Sequence, residues 1–211
     1  MKKCNIFVVG GSTGYISWIE NVNLVDSPLK ADIVFFTGGE DVSPSLYGEK
    51  AHRTTFANKK RDIVEMEVFN LVKDNPDILK LGVCRGSQFL TVMNGAKLVQ
   101  NVNNHAIWGG HDIDVEHPEF VGTIKITSTH HQMLRPFVLP DEEYDLIGVS
   151  STKRSDVYQG GDGDIEMPCE PEIVYYKKTN SLCIQGHPEM LPFECETNVV
   201  LRKILNYYIN K

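Results

Sequence analysis

Two short apolar runs, Ile6–Val9 and Ile33–Phe36, each break into glycine, at Gly10-Gly11 and at Gly38-Gly39. A continuous run of β-branched and aromatic residues is the signature of a strand buried on both faces, and a glycine turn at its end fits a parallel sheet. A third run, Ile78 to Val83, leads straight into Cys84. Between the second and third, Val64, Val68, Leu71 and Val72 recur at i, i+4, i+7 and i+8, with Asp62 in the first turn. That spacing predicts a helix from Arg61 to Asp74, ended by Asn75-Pro76. Phe89, Leu90, Val92 and Met93 predict a second helix, capped at Asn94-Gly95. Strands alternating with helices predict an α/β fold: an open, mainly parallel sheet with helices on both faces and ligands beyond the carboxyl ends of its strands.

Further along, Lys97 to Val99 and Thr123 to Thr127 read as strands, and Ile173 to Tyr176 with Ser181 to Gln185 as a hairpin. Phe193 to Asn210 carries Leu201, Ile204, Leu205 and Tyr208 at helical spacing, with Tyr207 and Tyr208 expected to pack that helix. Ser151 to Glu172, which includes QGGDGD, is the least periodic stretch and reads as a long loop or an extra hairpin. With 211 residues, no internal repeat and no linker, one domain over residues 1–211 is expected.

A net charge of −7 and the lack of a basic stripe argue against nucleic acid or an anionic membrane as the main partner. No apolar run reaches membrane-spanning length, and MKKCNIFVVGG reads as a first strand rather than a leader. Five cysteines, an odd number with no CxxC pair, fit a reducing, cytoplasmic setting. Cys4, Cys169, Cys183 and Cys195 read as structural or incidental.

Cys84 is different. Gly82-Val83-Cys84-Arg85-Gly86 matches the nucleophile-elbow pattern, with cysteine in place of serine, at a strand-to-helix turn. The glycines leave room around the strained turn, and the helix N-terminus offers free N–H groups and a positive dipole end that favours a thiolate. A nucleophilic cysteine needs a base and a group to orient that base. Gln185-Gly186-His187-Pro188-Glu189 supplies both: His187 leaves a buried strand on the same edge, and Glu189 can fold back onto the imidazole. Thr37-Gly38-Gly39-Glu40-Asp41 follows another buried strand, and its paired glycines leave a backbone N–H for a developing oxyanion.

These residues together resemble the class I glutamine amidotransferase superfamily, and within it the gamma-glutamyl hydrolase branch, including gamma-glutamyl-gamma-aminobutyrate hydrolases. The match rests on FTGGEDVSPSLYGE (Phe36 to Glu49), Arg61-Asp62, GVCRGSQ (Gly82 to Gln88), STHHQ (Ser128 to Gln132) and QGHPE (Gln185 to Glu189), in the family's order. The resemblance implies the flavodoxin-like fold of that superfamily. It implies Cys84 as nucleophile, His187 as base and Glu189 as its orienting carboxylate, with the backbone N–H groups of Gly39 and Arg85 as oxyanion hole. Gln88, His130, His131 and Gln132 would hold the ends of a glutamyl group. The implied reaction cleaves a γ-glutamyl amide through a glutamyl thioester, with no metal and no organic cofactor. The chain departs from the branch in a shorter region before Phe36 and in Gly186, where a bulky residue commonly precedes HPE.

Two alternatives stay open: a glutaminase subunit supplying ammonia to a synthetase in trans, and a binding or regulatory protein that keeps the fold without turnover. The remaining histidines are read as inert. His105, His111 and His117, with Asp112 and Asp114, match no familiar zinc spacing, so a solvated polar segment is expected there.

Overall fold

A computed structural model describes residues 3–211. Its strands are β1 Cys4–Val9, β2 Val22–Leu24, β3 Ile33–Phe36, β4 Leu79–Val83, β5 Lys97–Val99, β6 Asn101–Val102, β7 Ala106–His117, β8 Phe120–Thr129, β9 Met133–Arg135, β10 Tyr144–Ser150, β11 Tyr158–Gly160, β12 Gly163–Asp164, β13 Pro171–Tyr176 and β14 Ser181–Ile184. The helices are α1 Lys59–Val72, α2 Arg85–Met93 and α3 Glu196–Ile209, joined by short 3-10 turns.

Nine strands form one sheet in the order β2-β1-β3-β4-β14-β13-β10-β7-β8. From β2 to β14 the pairings are parallel, and β3, β4 and β14 are buried along their whole lengths. This is the predicted parallel core. Beyond β14 the sheet continues through antiparallel pairings to β13, β10, β7 and β8. The predicted hairpin is β13–β14, and the predicted strands at 97–99 and 123–127 are β5 and part of β8. Successive residues of a strand face opposite sides, so Ile33, Phe35, Leu79 and Leu81 meet α3 through Leu201, Ile204, Leu205 and Tyr208. Val34 and Phe36 meet Phe69 and Val72 of α1 and Phe89 and Leu90 of α2 on the other side. Helices therefore cover both faces. Each such buried side chain contributes roughly 1.5–3 kcal/mol relative to exposure.

In two places the structure departs from the sequence reading. Helix α1 exists, but its inward face is Asp62, Glu65, Phe69 and Val72, while Val64 and Leu71 are exposed. The apolar stripe misidentified the face because two carboxylates point inward to meet a buried arginine, described below. The second correction concerns His105, His111 and His117, which are buried rather than solvated. Strand β7 alternates, with His111, Ile113, Val115 and His117 inward and Asp112, Asp114 and Glu116 outward. The period-2 signal was present in HDIDVEH, masked because histidine occupies two of its inward positions. Within Ser151 to Glu172, β11 and β12 form the hairpin, and β6 completes a small three-stranded sheet with them.

Two glycines show why the turn after β4 tolerates no side chains. A Cβ on Gly82 would lie 2.5 Å from backbone atoms of Gly86, and one on Gly86 would overlap the Phe36 carbonyl oxygen. Neither neighbour can yield, being backbone. Gly86→Ala is expected to destabilise the fold by about 3 kcal/mol, lowering Tm by roughly 6–12 °C. Thermal unfolding followed by circular dichroism checks it; a Tm within ~2 °C of wild type would contradict it.

Candidate active site

Cys84 sits between β4 and α2 with φ 51° and ψ −112°, a conformation that costs a non-glycine residue on the order of 1–3 kcal/mol. The surroundings hold it there. Its N–H donates to the Ile184 carbonyl at 2.9 Å, and its carbonyl accepts from Gln88 N at 3.1 Å and Ser87 Oγ at 2.6 Å. Arg85, the first residue of α2, has no preceding helical carbonyl for its N–H, as at any helix start.

His187 follows β14 directly, and its Nδ1 lies 2.6 Å from Glu189 Oε1. Thr127 of β8 grips the His187 backbone from both sides: its Oγ1 accepts from His187 N at 2.6 Å and donates to His187 O at 3.1 Å. Burial opposes a charge on the ring, but the Cys84 thiol and the Glu189 carboxylate outweigh it and push His187 up to about 10. The favoured form beside Cys84 is therefore an imidazolium. Tyr15 packs across this pair, its ring 6.1 Å from that of His187. Burial, together with the charges of Glu189 and Cys84, pushes its phenol up, so it stays a neutral O–H. Gly38 is closely packed: a Cβ there would lie 3.0 Å from the His187 and Tyr15 side chains, which would have to give way.

These values give a pH signature. The stabilisation from the His187 proton is complete below its ordinary 6.5 and is lost as pH rises through about 10. Magnetic resonance of the ring should show a proton retained well above neutrality, and Glu189→Gln or Cys84→Ala should each lower its titration point. A midpoint near the ordinary value in wild type would contradict this.

Arg61 and Arg85 build the floor beneath the two glycine turns. Arg61 donates from Nη2 to Thr37 O at 2.9 Å, from Nε to Glu65 Oε1 at 2.8 Å and from Nη1 to Glu40 Oε2 at 3.1 Å. Gly39, at φ +144°, gives it space, since a Cβ there would collide with Arg61 Nη1. The Arg85 side chain turns away from the cleft into the protein, pairing with Asp62 Oδ1 at 2.5 Å and with Glu65 Oε2. All three side chains are buried.

A cleft of about 230 Å³ opens beside Cys84, lined also by Gly39, Gln88, His130, His131 and Gln132. Gln88 Nε2 donates to Gln132 O at 3.3 Å and Gln185 Oε1 at 3.4 Å. His131 Nε2 lies 3.0 Å from Asp41 Oδ1, which raises its pKa. His130 directs its ring nitrogens away from the cleft, Nδ1 towards Gln132 O at 2.7 Å and Nε2 towards Glu172. The structure thus brings Cys84, Gly39, Arg85, Gln88, His187 and Glu189 to one sheet edge. It adds Tyr15 and Thr127, which no motif marked, since neither lies beside a glycine turn. Gly186 has a local cause: a Cβ there would overlap Ile126 of β8.

The chain is 28% identical over 197 residues to the glutamine amidotransferase-like protein YvdE of Lactococcus lactis, covering 85% of this chain and 73% of that protein. Among solved structures, a glutamine amidotransferase from Thermotoga maritima aligns with a TM-score of 0.62 at 14% identity, covering 100% of each chain. The structure of PurLQS from Thermotoga maritima aligns at 0.61 and 19%, over 98% of this chain and 99% of that one. The fold is that of class I glutamine amidotransferases. The Peptidase C26 family model matches residues 8–147, so the chain belongs to the Peptidase C26 family, and its glutamine amidotransferase-like relatives place it in the class I glutamine amidotransferase superfamily.

Proposed function

We propose that this chain is a cysteine-dependent amidohydrolase of the gamma-glutamyl hydrolase branch, cleaving a γ-glutamyl amide through a glutamyl thioester on Cys84. The observation that carries the reading is the strained Cys84 turn facing His187, whose imidazolium is favoured by Cys84 and Glu189 together. In this account Cys84 Sγ attacks the γ-carbonyl carbon, and the N–H groups of Gly39 and Arg85 hold the oxyanion. His187 then gives its proton to the leaving nitrogen, so that ammonia or an amine departs and the thioester remains. Having given up its proton, the His187 ring is neutral and takes a proton from the water that attacks the thioester, which releases glutamate and restores Cys84. Glu189 orients the ring throughout, while Gln88, His131 and Gln132 hold the glutamyl ends and His130 braces Gln132.

The test is glutamate release from L-glutamine and from γ-glutamyl amines by the purified chain, with Cys84→Ala as control. Release from the amines, abolished in Cys84→Ala, is the expected result. Release from glutamine alone would instead favour an ammonia-supplying role beside a synthetase. Such a role has a precedent in the fold: one structural neighbour, at TM-score 0.64 and 17% identity, is described as a GMP synthase subunit from Thermoplasma acidophilum. No release from any substrate, with Cys84 still open to a thiol label, would favour a binding protein.

A further inference from the structure

Behind the wall of the cleft, the antiparallel half of the sheet buries a set of side chains of which only His130, the brace of Gln132, has a part in the proposed hydrolysis. His105 precedes β7, His130 follows β8 and Glu172 lies in β13, and each offers one donor atom within 4.8 Å of the others. All three are buried. His105 Nδ1 and His130 Nε2 lie 3.5 and 3.6 Å from the same oxygen, Glu172 Oε1. A tetrahedral zinc with bonds of ~2.1 Å has donor-to-donor edges of about 3.4 Å.

The partners of each ring nitrogen decide what these atoms can hold. His130 Nδ1 is 2.7 Å from the Gln132 carbonyl, which only accepts, so Nδ1 donates there, while Nε2 is buried without a hydrogen-bond partner. His105 Nε2 is 3.1 Å from Glu170 Oε2. Glu170 itself accepts from the Tyr158 hydroxyl at 2.6 Å, the Ser155 N–H at 2.7 Å and the Arg154 N–H at 3.0 Å. His105 Nδ1 is buried without a hydrogen-bond partner. Two unpartnered imidazole nitrogens thus face one carboxylate, that of Glu172, whose Oε2, buried as well, has no hydrogen-bond partner. Unpartnered polar atoms converging in a buried site are ones that proteins rarely tolerate. A carbonyl or carboxylate on the far nitrogen of each imidazole is the outer shell that metal-bound histidines carry. His111 Nε2, 3.1 Å from Glu172 Oε1, steadies the carboxylate in the same way.

We propose that His105 Nδ1, His130 Nε2 and Glu172 bind one divalent transition-metal ion, zinc by donor type and geometry. Its role is positional: it ties β7, β8 and β13 together behind the His130–Gln132 segment. The proposal stands independently of the hydrolase reading.

The test loads chelator-stripped protein with Zn²⁺ alone and measures bound metal by elemental mass spectrometry, in a Cys84→Ser background so that the cleft thiol cannot serve as a ligand. About one zinc per chain is expected, with Tm raised by roughly 8–16 °C at a thousandfold excess over Kd. Glu172→Gln should weaken binding at least about a hundredfold. Because that buried variant can fail to fold, X-ray absorption at the zinc edge of the zinc-loaded Cys84→Ser chain provides a second reading, with nitrogen and oxygen neighbours including two imidazoles expected. No retained zinc, zinc with sulfur in its shell, or full zinc retention by folded Glu172→Gln would each overturn the proposal.

Discussion

Cys84→Ala is expected to lower γ-glutamyl amide hydrolysis by at least about four orders of magnitude while leaving the chain folded. The size follows from the role. Without the sulfur there is no acyl-enzyme, and His187 loses the partner that favours its proton, so only positioning and oxyanion binding remain. Folding should survive because the alanine occupies the same turn without demanding more space. Cys84→Gly adds a sharper expectation. At φ 51° glycine carries no steric penalty, so this variant should be inactive yet more stable than Cys84→Ala by about 1 kcal/mol. Steady-state assays with thermal unfolding of the three proteins check both halves; activity in Cys84→Ala above about one per cent of wild type would contradict the first.

Arg85→Met is expected to cost about 3–5 kcal/mol of stability, the largest loss expected from a single substitution here. The guanidinium pairs with Asp62 and Glu65 where none of the three reaches solvent. Removing it strands Asp62 with only the Ser43 N–H at 3.3 Å, while Glu65 keeps Arg61. For a chain of this size the loss corresponds to a Tm lower by roughly 6–20 °C. A second substitution, Asp62→Asn, should recover part of the loss by removing the stranded charge, so the two changes should be clearly non-additive. Additive effects, or a Tm change within ~2 °C for Arg85→Met, would contradict the buried-pair account.

That arginine marks where the sequence stopped being legible. The runs at Ile6–Val9, Ile33–Phe36 and Ile78 to Val83 announced the parallel core because burial on both faces leaves no polar position in a strand. The turns after them announced the site because glycine is needed where backbone passes backbone. The inward face of α1 was hidden, since a helix that buries Asp62 and Glu65 shows its apolar residues on the wrong side. Strand β7 was hidden because its inward positions include His111 and His117, which pattern reading counts as polar. His105, His130 and Glu172 come from three separate strand ends, so no local spacing joins them. Thr127 and Tyr15 act on His187 across the fold, and contacts of that kind leave no trace in a linear pattern.

The central claim, covalent catalysis by Cys84, is tested most directly by intercepting the intermediate. The purified chain is mixed with a γ-glutamyl amide, quenched in acid within its first turnovers and measured by intact-protein mass spectrometry. The account predicts a population heavier by one glutamyl group, mapped by digestion to Cys84, labile to hydroxylamine and absent from Cys84→Ala. Turnover with no adduct at any quench time, or with the adduct on another residue, would contradict it.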